Sequence, residues 1–100
     1  MSILVVEREV FAESVEFNED SLVVYLDDGR SVSVPLAWYP RLNSSHQKER
    51  RNYELIGDGE GIHWPDLDED ISVEGIIAGR RSAEGAKSLS AWLLNRKNPS

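Results

Sequence analysis

The chain has 100 residues, 40% of them hydrophobic, with 18 acidic against 11 basic side chains and a net charge of -7. One domain of this size buries roughly 65% of its unfolded surface, enough for a modest core without metal or disulfide staples. The absence of cysteine excludes disulfides and thiol chemistry, and no apolar run approaches the length of a membrane span.

The N-terminal run Ile3-Leu4-Val5-Val6 is too short for a signal peptide, so a cytoplasmic location is expected. Ile3 to Val10 reads as a strand or an extended arm, making 1–12 a leading segment ahead of a main domain. Val15 and Phe17 flank Glu16 in the next strand, and Asn18-Glu19-Asp20 forms the turn after it. Leu22, Val24 and Leu26 alternate with Ser21, Val23 and Tyr25, followed by a second alternating run, Arg30 to Val34. A loop of Asp27-Asp28-Gly29 with Gly29 left-handed pairs Val24 with Val32 and Leu22 with Val34. That register keeps one face apolar, which a two-residue loop does not.

Pro35 closes this strand, because it cannot donate to a ladder. Leu36 to Tyr39 suits a helical turn stopped by Pro40. Ser44 with Gln47 reads as a capping box opening a polar helix to about Arg51. Tyr53 to Ile56 and Ile62 to Trp64 form two more strands, joined by the turn Gly57-Asp58-Gly59-Glu60-Gly61. That loop is no phosphate cradle, since it leads into a strand and carries Asp58 and Glu60.

Ser72 is the expected N-cap of a helix over Val73–Ala78, with Asp68, Glu69 and Asp70 near its positive end and Gly79 left-handed beyond it. Residues 80–100 read as a linker, Arg80 to Lys87, and a short helix from Ser88 to about Asn95. Its stripe of Leu89, Trp92 and Leu93 suits either docking on its own sheet or holding a partner. The expected fold is a small α+β domain: one antiparallel sheet of about five short strands in two hairpins, with two or three short helices.

Chemistry is concentrated in Gly61 to Gly75, which sets His63, Trp64, Pro65 and several acids ahead of an apolar run. Asp66, Asp68 and Asp70 match the first ligand positions of a calcium loop, but Ile71 and Ile77 stand where Gly and a bidentate Glu are required. No zinc set exists either. His46 and His63 are the two candidates for acid–base work, as in a hydrolase or ribonuclease, yet no spacing brings them together. We expect no catalytic residues, no metal and no cofactor.

Two charged segments remain. Asp66, Asp68, Glu69, Asp70 and Glu74, with Trp92, form the candidate surface for a protein partner. Arg41, Lys48, Arg50 and Arg51, near Trp38 and Tyr39, form the candidate nucleic-acid surface, the less favoured alternative because phosphate contacts oppose the acidic excess.

Three segments occur here in order: Leu26-Asp27-Asp28-Gly29-Arg30, Val34 to Leu42, and Gly61-Ile62-His63-Trp64-Pro65 through Glu74. Together they resemble the DUF2442 family over about residues 13–79. The resemblance implies a small bacterial α+β domain without established enzymatic activity. It also implies a neighbouring gene for another small protein, in a toxin–antitoxin-like pair whose antitoxin-like member this chain would be. Some relatives carry a helix-turn-helix domain after this one; the last 20 residues here hold at most one short helix. The expected function is thus a non-enzymatic binding module for a protein partner, with self-association a further expectation and no membrane contact.

Overall fold

The computed structural model describes residues 9–97. Six strands form two three-stranded antiparallel sheets, accompanied by four α-helices. The first sheet contains β1 (Ala12–Phe17), β2 (Ser21–Leu26) and β3 (Ser31–Pro35) in sequence order. The second contains β4 (Glu54–Ile56), β5 (Gly61–Trp64) and β6 (Glu69–Ser72), again in order. Two sheets therefore replace the single sheet of about five strands. The strand expected over Ile3 to Val10 lies outside the described residues, apart from its last two positions.

The β2–β3 register follows the apolar alternation: Val24 faces Val32 and Leu22 faces Val34. Leu26 donates to the Arg30 carbonyl at 2.8 Å, closing a three-residue loop with Gly29 at φ 92°. The second hairpin turns through Gly57 and Gly59, both at positive φ. Gly59 also takes a hydrogen bond from the Ala12 amide at 2.8 Å, which ties the two sheets together. A Cβ on Gly59 would stand 2.4 Å from the Ala12 carbonyl oxygen, so that junction admits only glycine.

β6 was not expected. Its sequence, Glu-Asp-Ile-Ser, has weak strand propensity, and pairing with β5 overrides it. The acids at Asp68 to Asp70 accordingly belong to a turn and a strand, and α3 (Val73–Ile77) starts after them. Ser72 caps α3 as expected, its hydroxyl accepting from the Gly75 amide at 2.9 Å. Gly79 follows at φ 76°.

The helix boundaries before β4 differ from the sequence reading. Leu36–Trp38 forms a 3-10 turn, but Pro40 starts α1 (Pro40–Asn43), where its fixed φ and missing N–H suit the first helical position. The capping box of α2 (Gln47–Arg51) uses His46 and Glu49, two residues beyond Ser44 and Gln47. Glu49 Oε1 accepts from the His46 amide at 2.8 Å. Ser45 instead donates its hydroxyl to the Leu42 carbonyl, ending the preceding turn.

The core lies between the sheets. Leu22, Val24 and Leu26 from β2 share one buried cluster with Ile62 and Trp64 from β5 and with Leu36, Leu42 and Leu67. Trp64 is fully buried, packs edge-on to Phe17 with centroids 6.2 Å apart, and donates its indole N–H to the Arg50 carbonyl at 3.1 Å. That bond satisfies the polar atom of the largest core side chain.

α4 (Ala86–Lys97) begins inside the stretch read as a linker. That stretch is held to the domain: Tyr39 donates its hydroxyl to the Arg80 carbonyl, and Ser82 donates its amide to the Trp38 carbonyl. Leu89, Trp92, Leu93 and Arg96 are the shielded residues of α4, one stripe at helical spacing.

Candidate functional site

The second sheet has two faces, and only one meets the core. Ile62, Trp64 and Ile71 point inward. Strand alternation puts Glu54, Ile56, Gly61, His63, Asp70 and Ser72 on the other face. Across it Glu54 pairs with His63 and His63 with Asp70, an acid–imidazole–acid row.

His63 Nδ1 lies 2.5 Å from Asp70 Oδ1. The hydrogen bond to Asp70 raises the imidazole pKa above its ordinary value, and the Glu54 and Asp68 carboxylates push the same way. A histidine oriented by an aspartate is a familiar acid–base pair. Among the described residues, however, no nucleophile and no second imidazole is hydrogen-bonded to it. His46 sits at the start of α2, on a different element.

The sequence-predicted acids diverge. Asp66 accepts a hydrogen bond from Asn52 at 3.0 Å, Asp70 binds His63, and Asp68 lies 3.9 Å from Arg41. Asp68 adopts φ 51°, a left-handed turn position that aspartate tolerates. Glu74 stands exposed, 3.7 Å from Arg80. These positions give the three calcium-loop aspartates three different partners. Among the described residues, no group of three or more His, Cys, Asp or Glu is arranged to hold a metal ion.

Glu69 differs from its neighbours. It is half-buried beside Tyr39 in a small cleft of about 210 Å³. Burial lifts its carboxyl pKa to about 7, opposed by Arg41 and reinforced by Glu84, Asp70 and Asp68.

The four predicted basic residues do not form one surface. Arg41 donates twice to Glu84 from Nε, at 2.9 and 3.1 Å, and once from Nη2 at 2.8 Å. Its Nη1 donates to the Leu67 carbonyl at 3.0 Å. Arg50 donates to Ser45 and to the Leu42 carbonyl, and its guanidinium lies over the Phe17 ring. Both are structural clamps, leaving Lys48 and Arg51 exposed and without an ion pair among the described residues.

Trp92 packs against the core cluster, and two guanidinium groups lie over its ring, Arg41 at 5.1 Å and Arg96 at 4.6 Å from the ring centre. Its position favours self-docking of the C-terminal stripe over display to a partner. The engaged residues that sequence reading missed are Glu49 and Glu84, whose partners lie 47 and 43 positions away.

An apolar groove of about 640 Å³ lies against the second sheet where β4 turns into β5. Its walls include Phe11, Ile56, Gly61 and Val73, and the acids along it are Glu9, Glu60, Asp70 and Glu74, with no lysine or arginine among the described residues. Two of the five predicted acids, Asp70 and Glu74, therefore share a site, with two that were not singled out.

No helix in the described residues is long and apolar enough to cross a membrane. A family model described as "Protein of unknown function (DUF2442)" matches residues 12–82. A crystal structure of a protein of unknown function from Rhodospirillum rubrum is similar, with TM-score 0.66 and 25% identity. That match covers 77% of this chain and 95% of the other. The solution structure of an uncharacterized protein from Chromobacterium violaceum shares the fold at TM-score 0.62 and 23% identity, covering 90% of this chain and 79% of that one. No curated protein matches the chain.

Proposed function

Since the chain belongs to the DUF2442 family, we propose that it is a non-enzymatic binding module that docks a protein partner, as the antitoxin-like member of a toxin–antitoxin-like pair. One observation carries this reading: the groove along the second sheet combines apolar walls with four acids and, among the described residues, no lysine or arginine. The net charge of -7 adds a long-range attraction for a basic partner. The His63–Asp70 pair gives no support to hydrolysis, because among the described residues no nucleophile is hydrogen-bonded to it.

The test is co-expression with the product of the neighbouring gene, followed by size-exclusion chromatography at low and high salt. A binding module co-elutes with it at low salt and releases it progressively as salt screens the charges. Separate elution at low salt rejects the proposal. Nucleic-acid binding is the weaker reading, because Arg41 and Arg50 are engaged within the fold.

A further inference from the structure

We propose that the groove beside Gly61 is a docking site for a basic segment of a protein partner, anchored by an apolar side chain; the inference rests on the binding-module reading and locates its site. Gly61 opens β5 and pairs with Ile56 on one side and Ser72 on the other. A Cβ there would meet the Ile71 carbonyl oxygen at 3.1 Å and the Ile56 side chain at 3.3 Å. The Ile71 carbonyl and Ile56 thus close over Gly61, and Ile56, 44% exposed, is presented to the groove. An apolar residue this open next to a recess is a natural anchor contact.

Charge decides the occupant. Glu9, Glu60, Asp70 and Glu74 border the groove, and among the described residues no lysine or arginine lines it. Outside the lining, Arg80 approaches Glu74 only to 3.7 Å and His63 binds Asp70. An acidic segment would be repelled by the four carboxylates, whereas lysine or arginine next to an apolar anchor pairs with Glu9 and Glu60, which have no ion-pair partner among the described residues.

The probe is a synthetic octapeptide of alternating lysine and leucine, titrated into the ¹⁵N-labelled full chain and followed by amide chemical shifts. Shifts centred on Ile56, Gly61, Ser72 and Glu74 support the proposal. An alternating glutamate–leucine octapeptide should leave them in place. Ile56→Ser should weaken binding roughly tenfold by removing the apolar contact. E60Q combined with E74Q, both exposed positions, should weaken it by about three- to tenfold.

Shifts centred elsewhere, equal binding of the glutamate peptide, or affinity unchanged in Ile56→Ser overturns it. So do concentration-dependent shifts without peptide, which identify a second copy of the chain as occupant. Contacts from the Ile3–Val6 methyls to Ile56 also overturn it, because the chain then fills its own groove. If the neighbouring gene's product co-elutes and Ile56→Ser does not weaken it, the groove assignment fails while the binding-module reading stands.

Discussion

Glu49 accepts two hydrogen bonds from Arg96, each at 2.8 Å, while one of its oxygens also caps the His46 amide. A single carboxylate therefore joins the start of α2 to the last turn of α4. Isolated helices of about 12 residues are marginal in water, so α4 depends on such attachments. Glu49→Ala should leave the two sheets intact and loosen α4. Hydrogen exchange should quicken over Ala86–Lys97 and remain unchanged in β2 and β5; uniform quickening would contradict this account.

Arg41 anchors the same region from the other side. Its side chain is 16% exposed and its partner Glu84 9%, so removing the guanidinium strands a shielded carboxylate. Arg41→Ala should cost about 2–3 kcal/mol in urea denaturation. Arg41→Lys should recover only part of that, because an ammonium cannot reproduce the forked contact to Glu84. Full recovery by lysine would show that charge alone matters.

Stability should fall as pH rises through the neutral range. Glu69 has a folded pKa of about 7, above the ordinary carboxyl value of 4.5. Between these values the unfolded chain has released this proton while the folded chain keeps it, which disfavours folding progressively. Glu69→Gln removes that slope, so the variant should gain on the parent protein between pH 4.5 and 8. Glu49 and Glu84 act oppositely: arginine hydrogen bonds lower both, and their contribution disappears as pH falls through the lowered values. Urea midpoints across pH 2 to 8 measure both effects: the Glu69 slope above pH 4.5 and the Glu49 and Glu84 loss below it.

Two glycines with positive φ should respond differently to alanine. Gly59→Ala drives a Cβ to 2.4 Å from the Ala12 carbonyl and separates the sheets at their junction, at a cost of about 3 kcal/mol or more. Gly79→Ala meets nothing within 4 Å and should cost only about 1 kcal/mol of backbone strain. Thermal melts of the two variants side by side give the comparison.

The salt dependence of DNA binding should be shallow. With Arg41 and Arg50 engaged, Lys48 and Arg51 are what remains of the predicted basic segment, for a logarithmic slope of no more than about 2. Filter binding across salt concentrations measures it. A steep slope would mean that the clamps around Arg41 and Arg50 open on nucleic acid.

Local patterns were the legible part of this fold. The β2–β3 register follows from Leu22, Val24, Val32 and Val34, the helix start from Ser72, and the second hairpin from the glycines around Asp58. Each depends on neighbours a few residues apart. β6 was hidden because Glu-Asp-Ile-Ser becomes a strand only through its pairing with β5. Arg41 and Arg50 looked like a basic patch because their partners are remote acids or backbone carbonyls, which composition does not reveal. The acid-rich segment was visible, but its division among Asn52, His63 and Arg41 was not.

The three tryptophans occupy three different junctions, and this gives the protein an optical readout. Trp64 is sealed between the sheets, Trp38 lies beneath Arg81 beside the 80–85 stretch, and Trp92 is stacked where α4 meets the domain. Emission from a Trp38→Phe/Trp92→Phe variant should stay blue until the core opens. The difference between the parent protein and Trp92→Phe should report release of α4 alone. Intrinsic fluorescence can therefore time the detachment of α4 against melting of the core in one sample, without an added dye.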